Sequence, residues 1–161
     1  MTKRTSMARV LQWACLVYLG AVVTATCREG DRDYVHELGA HFVIPFDHED
    51  FSRAVTDQDA VIDTQGGEVH ERSYRVLKRG GRLVHLNAAP IEDRGAEHGV
   101  IVQNVHIEDG HASLDRVSRL LETGVLKPRV AIALRLAEGA LAQRLVENGA
   151  VKRGRLILTM N

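Results

Sequence analysis

The residues of this sequence best suited to chemistry are its eight histidines and two cysteines. The histidines are scattered, no two stand four apart on a predicted helix, and no cysteine joins them, so the spacing predicts no metal site. Cys15 and Cys27 share one early apolar segment, which predicts buried, reduced thiols. Asp63 and His85 are conceivable as an acid–base pair, but no nucleophile with a supporting motif accompanies them. Catalysis by that pair is therefore a weaker hypothesis than a structural role for these side chains.

Asp63 and Thr64 end a predicted strand, just before the turn residues Gly66 and Gly67. In a parallel sheet, ligands bind beyond the carboxyl ends of the strands, so both side chains are candidates for ligand contacts. The alternative interpretation is structural, because Asp and Thr side chains commonly bond the backbone amides of a following turn. The sequence leaves both interpretations open.

The elements that position these residues alternate along the chain. Short apolar runs predict strands, and amphipathic stretches closed by glycine predict helices. Strand–helix units of this length predict an α/β domain with a mostly parallel sheet covered on both faces. The predicted strands cover residues 22–25, 41–45, 60–63, 82–86, 100–107 and 155–159, and the predicted helices cover 31–38, 50–55, 69–77, 113–122 and 136–147. A further helix is predicted before the first strand, with Val10, Ala14, Val17 and Tyr18 at helical spacing and its end at Gly20. Residues 92–99 are predicted to form a loop.

Several stretches, taken in order, resemble the quinone oxidoreductase branch of the medium-chain, zinc-binding dehydrogenases. The likeness runs from about Leu11 to Thr159. The stretches that carry it are 19–27, 37–44, 60–67 followed by 77–84, 121–128 and 153–158. This resemblance implies a Rossmann-like, doubly wound domain over residues 10–161, corresponding to the C-terminal, NAD(P)-binding half of that family. It implies hydride transfer from NADPH to a carbonyl, enone or quinone, with no catalytic side chain identified here.

The resemblance also implies cofactor-binding positions. Arg28 and Arg32 follow the second strand of the family fold, where basic side chains favour the 2′-phosphate of NADP and acidic ones favour NAD. Glu29 lies beside Arg28, so NAD stays an alternative. The family places the Asp63–Thr64 loop near adenine and ribose, and Arg155 near the cofactor phosphates. Asn87 and Ala88 would lie near the nicotinamide.

The beginning of the sequence departs from the family pattern. Residues 1–9 form an atypical segment without glycine, where the family has its first strand and a glycine-rich turn that lets backbone amides approach the pyrophosphate. The expected sheet therefore lacks or replaces its first strand. One alternative function is a non-catalytic remnant that serves as a binding or dimerisation module. Another is a secreted protein with residues 1–26 as a signal peptide.

Composition limits the partners. Lys plus Arg equals Asp plus Glu at 21 each and only 4% of residues are aromatic, so neither a nucleic acid nor a membrane is expected as a partner. The protein is expected in the cytoplasm. A separate chain that supplies the catalytic domain is a further possible partner. The alternating strand from Val100 to Ile107 is predicted at an open sheet edge, and the family pairs it with its own copy, which implies a homodimer.

Overall fold

The computed structural model describes residues 16–86, 91–105, 110–151 and 153–160. Strands and helices alternate along them, as the sequence predicts. The strands are β1 (Thr24–Cys27), β2 (Phe42–Pro45), β3 (Gln58–Asp63), β4 (Leu77–His85), β5 (Ile101–Asn104), β6 (Val130–Arg135) and β7 (Arg155–Thr159). The α-helices are α1 (Arg32–Glu37), α2 (Phe51–Ala54), α3 (Glu68–Ser73), α4 (Gly95–His98), α5 (Gly110–Glu122) and α6 (Gly139–Glu147).

The described strands form three sheets, ordered β1-β2, β3-β4-β5 and β6-β7. The β3–β4, β4–β5 and β6–β7 pairs are parallel. In the first sheet the Val23 carbonyl accepts the Phe42 amide, and the Cys27 carbonyl accepts the Phe46 amide. From the first bond to the second, the residue number rises by four on both strands, so β1 and β2 run in the same direction and are parallel as well. The α/β class with parallel sheets is confirmed.

The chain divides into two compact units. The described part of the first unit comprises residues 16–25, 33–42 and those from 114 onward, and the second comprises 26–32 and 43–113. The second unit has a core of Tyr74, Leu83 and Val100, against which further apolar side chains of β3, β4 and β5 pack. β4 is the middle strand of this sheet, hydrogen bonded to β3 and β5. It ends at His85.

The segment before β1 follows the predicted helix–turn–strand pattern where it is described. Residues 16–18 are helical, and Gly20 has a φ of 83°. The Gly20 amide donates to the Val17 carbonyl and the Ala21 amide to the Leu16 carbonyl, the paired bonds of a Schellman helix end. Residues 1–9 and the start of this helix lie outside the described residues.

Cys27 is fully buried at the end of β1, as predicted for this thiol. Burial raises the pKa of Cys27 to about 11, with Asp31 and Asp47 adding to the shift. The thiol is therefore protonated near neutral pH and unsuited to act as a nucleophile. Cys15 lies outside the described residues.

Three elements differ from the sequence-based prediction. The helix predicted over 69–77 ends earlier, at Ser73, and after a short 3₁₀ turn over Tyr74–Val76 β4 begins at Leu77, five residues before the predicted strand 82–86. The expected loop at 92–99 contains α4, closed by Gly99 with a φ of 65°. β6 was not predicted, although Val130 to Leu134 form an unbroken apolar run of the length typical of a strand.

A candidate cofactor site at the carboxyl edge of the sheet

The carboxyl ends of β3, β4 and β5 carry three polar residues in one row. Asp63 is paired in register with His85, and His85 is paired with Asn104. Since all three strands are parallel, their carboxyl ends meet at the same edge, where open α/β sheets bind ligands. The sequence indicated Asp63 at this edge and named His85 as its conceivable acid–base partner, whereas Asn104 is added by the register.

Asp63 is buried and shapes the turn that follows β3. One carboxylate oxygen accepts the Gln65 amide at 2.7 Å and the Gly66 amide at 2.9 Å, and the other accepts Gly66 at 3.1 Å. This is the turn-capping role that the sequence left open for Asp63. The carboxylate thereby fixes the backbone at the edge of the candidate site.

The same carboxylate bonds a buried histidine that the sequence did not single out. His70 Nδ1 lies 2.9 Å from Asp63 Oδ2, and both side chains are almost completely buried. His70 Nε2 lies 3.3 Å from the Tyr74 hydroxyl, which accepts the Arg94 amide at 3.2 Å. Burial raises the pKa of Tyr74, so its hydroxyl keeps its proton near neutral pH. Because the Asp63 carboxylate can only accept hydrogen bonds, His70 Nδ1 donates to it.

His85 stands beside this chain of hydrogen bonds without joining it. Its ring lies edge-on to the ring of His70, with centroids 5.5 Å apart. The side chain is 8% exposed, and its Nδ1 is buried with no hydrogen-bond partner in the described part of the chain. The acid–base pair conceivable from the sequence, Asp63 with His85, is thus replaced by Asp63 with His70.

The two arginines after β1 are exposed and held by local contacts. The Arg28 guanidinium lies over the Phe46 ring, 5.7 Å from its centroid. Arg32 lies 3.8 Å from the Glu29 carboxylate, an exposed ion pair that contributes little stability. Both guanidinium groups remain reachable from solvent, which the binding of a phosphate requires.

The other predicted site residues are distributed as follows. Thr64 is half-buried directly after β3. Arg155 is exposed at the start of β7 in the first unit, where its amide donates to the Arg129 carbonyl at 2.9 Å. Asn87 and Ala88 lie outside the described residues.

A cleft of about 450 Å³ opens on the second unit, lined by acidic and basic side chains together. Arg72 lies 3.3 Å from Asp50, and Arg94 lies 3.0 Å from Glu71. These ion pairs neutralise Arg72 and Arg94, and the three arginines of the lining are matched by three carboxylates, so the cleft offers a phosphate little net attraction.

The sequence carried a weak signal for His85 and none for the Asp63–His70 pair. His85 is a polar residue ending an otherwise apolar strand segment, Leu83–Val84, at a ligand-binding edge. His70 lies on a helix seven positions after Asp63, and no local spacing rule links a strand end to that helical position.

None of the helices in the described residues has the length and apolar character that a membrane span needs. Nor do three or more potential metal ligands cluster in that part of the chain.

Comparison with known proteins is consistent with this geometry. No curated protein matches the sequence significantly. The chain superposes on a quinone oxidoreductase from Coxiella burnetii with a TM-score of 0.78 at 24% identity, covering 94% of this chain and 49% of that one. A quinone oxidoreductase from Pseudomonas syringae gives 0.77 at 20% identity, covering 92% and 52%. A 2-haloacrylate reductase gives 0.82 at 21%, covering 95% and 54%.

At these identities the structural likeness shows the fold, and the chain spans about half the length of the solved structures it matches. The assignment to a family comes from the sequence. Residues 38–158 match the family model described as zinc-binding dehydrogenase, which is well over half of the chain. The chain therefore belongs to the zinc-binding dehydrogenase family.

Proposed function

We propose that this chain is the nicotinamide-dinucleotide-binding part of a quinone oxidoreductase-like reductase that uses NADPH. The observation that carries the proposal is the family match over residues 38–158. The bound cofactor would supply a hydride to a carbonyl, enone or quinone. The residues of this chain would bind and orient it, and none of them is assigned to proton transfer.

The residues at the candidate site fit a dinucleotide. Arg28 and Arg32 offer exposed guanidinium groups, which suit the 2′-phosphate of NADP by charge and by hydrogen-bonding geometry. Asp63 contributes through the turn that it holds, since its oxygens are engaged inside the protein. Thr64, Asn87, Ala88 and Arg155 belong to the same proposal as contacts to ribose, nicotinamide and phosphate.

We expect NADPH to bind more tightly than NADH. An arginine–phosphate hydrogen bond contributes about 1.5–3 kcal/mol, so Arg28→Ala or Arg32→Ala is expected to weaken NADPH binding by roughly 10- to 100-fold and leave NADH binding nearly unchanged. Titration followed by nicotinamide emission measures both affinities. Arg116→Ala makes the same charge change at an exposed residue of α5 that is not among the proposed contacts, and it should alter neither affinity. Equal or tighter binding of NADH by the unmodified protein would refute the NADPH preference.

The second part of the proposal is a homodimer through the strand predicted from Val100 to Ile107. β5 lies at the edge of its sheet and is paired with β4 alone among the described strands. Its exposed residue Ile101 would be covered by a second copy. Proline at Val102 or Asn104 removes one backbone donor and should weaken dimerisation. Light scattering measures this, and an unmodified protein that is monomeric at micromolar concentration would exclude the interface.

Turnover distinguishes the reductase from the non-catalytic module considered above. NADPH oxidation in the presence of a quinone supports the reductase, whereas NADPH binding without turnover supports the module or a catalytic domain supplied by a separate chain. The cytoplasmic location belongs to the same proposal, because the thiol of Cys27 is free and a reducing compartment keeps it so.

A further inference from the structure

Tyr34, on α1, contacts two arginines that come from distant parts of the chain. The guanidinium carbon of Arg153 lies 5.3 Å from the centre of its ring, and that of Arg129 lies 5.9 Å from it. All three residues belong to the first unit, where both arginines are exposed and Tyr34 is half-buried. The face of an aromatic ring attracts a guanidinium group. Each contact therefore orders a side chain that would otherwise move freely in water.

The backbone brings these two arginines together at the start of the β6–β7 pair. Arg129 directly precedes β6, and the Arg155 amide, at the start of β7, donates to the Arg129 carbonyl at 2.9 Å. Gly154 permits this approach, since its φ is 96° and a Cβ there would lie 2.5 Å from the Arg129 oxygen. A residue with a side chain would force the two segments apart. The proximity of Arg129 and Arg153 is thus fixed by the backbone.

The positive charge at this place is not balanced by neighbouring residues. Segments 127–129 and 153–155 contain four basic residues and no acidic one. Although α1 carries Asp33 and Glu37, Arg129 forms no ion pair with them or with any other residue in the described part of the chain. The arginines of the cleft in the second unit differ, because carboxylates pair with them. Two guanidinium groups held at one ring repel each other, and an anion between them would relieve that repulsion.

We propose that Arg129 and Arg153, ordered by Tyr34, form a binding site for a doubly charged phosphate group. The charge of a phosphate dianion matches that of two arginines, and its oxygens accept hydrogen bonds from two guanidinium forks at once. A nucleobase is a poorer ligand here, because guanidinium groups already lie over the Tyr34 ring. None of these three residues is among the proposed cofactor contacts, so the site is an additional one.

The first test is the effect of inorganic phosphate on the melting temperature of the full chain, against sodium chloride of equal ionic strength. Phosphate well above its Kd is expected to raise the melting temperature by about 2–5 °C. Arg129→Ala and Arg153→Ala should each remove most of this rise, because one guanidinium group is left. Arg116→Ala, at an exposed residue of α5, makes the same charge change and should keep the rise. An equal rise in all three variants would be the general stabilising effect of phosphate and would overturn the proposal.

The second test concerns the ring, with the Kd for inorganic phosphate measured by isothermal titration calorimetry. Tyr34→Phe keeps the ring face and should bind phosphate within about twofold of the unmodified protein. Tyr34→Leu removes both guanidinium–ring contacts and should raise the Kd about three- to tenfold. Unchanged binding by Tyr34→Leu, or equal weakening by the two variants, would show that the ring face does not organise the site.

The same titrations distinguish this site from the proposed cofactor site. Arg28→Ala and Arg32→Ala should leave the Kd for phosphate unchanged, and Arg129→Ala and Arg153→Ala should leave the Kd for NADPH unchanged. Phosphate binding that depends on Arg28 or Arg32, or NADPH binding that depends on Arg129 or Arg153, would refute a separate site. An unmodified protein that binds phosphate at the Arg129–Arg153 pair but neither NADPH nor NADH would refute the proposed function and support this inference.

Discussion

Replacing Asp63 with alanine is expected to lower the free energy of unfolding by about 3–5 kcal/mol. The change removes the acceptor of two backbone amides, those of Gln65 and Gly66, and of the buried His70 Nδ1–H. Because His70 is 1% exposed, water cannot replace the lost partner without opening the structure. Urea denaturation, followed by circular dichroism, measures the loss.

Asp59 provides the matched control for this experiment, because it lies on the same strand. Its carboxylate is exposed and paired with Lys78 at the surface. Asp59→Ala should therefore leave the free energy of unfolding nearly unchanged. Equal losses for Asp63→Ala and Asp59→Ala would contradict the role of Asp63 as a buried acceptor. The same Asp63→Ala protein should also bind NADPH more weakly under the proposed function, because the turn after β3 would lose its shape.

A loss of about 3–4 kcal/mol is expected for Leu83→Ala, a large part of the 5–15 kcal/mol that stabilises a typical domain. Leu83 is completely buried on β4, the middle strand of its sheet, and packs in the core with Tyr74 and Val100. The Leu83 side chain projects from the face of the sheet into this core, and the backbone of β4 is fixed by hydrogen bonds to both β3 and β5, so the cavity left by alanine cannot collapse easily. The midpoint of urea denaturation should shift accordingly.

Leu114→Ala makes the same chemical change at an exposed position. Leu114 is 64% exposed on α5, and alanine is the best helix former. The variant should stay within about 0.5 kcal/mol of the unmodified protein. A loss at Leu83 below about 1 kcal/mol would show that this core contributes little to stability.

Most elements were predictable from the sequence because their signals are local. The helix end at Gly20 followed from a glycine after an apolar helical stretch, and the structure shows the expected positive φ and paired hydrogen bonds. α5 and α6 were recognised by their 3.6-residue apolar period. β6 was missed although Val130 to Leu134 are all apolar, because a short apolar run directly before a predicted helix does not by periodicity alone distinguish a strand from a helix.

The candidate site was predictable only in part. The carboxyl end of β3 was identified with Asp63 and Thr64, since a strand followed by a glycine turn is visible in one stretch of sequence. The contribution of Asp63 to that turn was one of two open interpretations, and the observed bonds to Gln65 and Gly66 confirm it. Direct contact of Asp63 or Thr64 with a cofactor stays a prediction.

The sequence by itself determined the α/β class, the parallel order of most elements and the family. Periodicity, turn residues and motif order can all be recognised from the order of residues along the chain. Only the tertiary structure decided that Asp63 bonds His70 and that His85 is left with a buried, unpaired nitrogen. The reason is that such pairings depend on strand register and on where a helix packs against the sheet. Those distances join residues from different elements, and no local pattern encodes them.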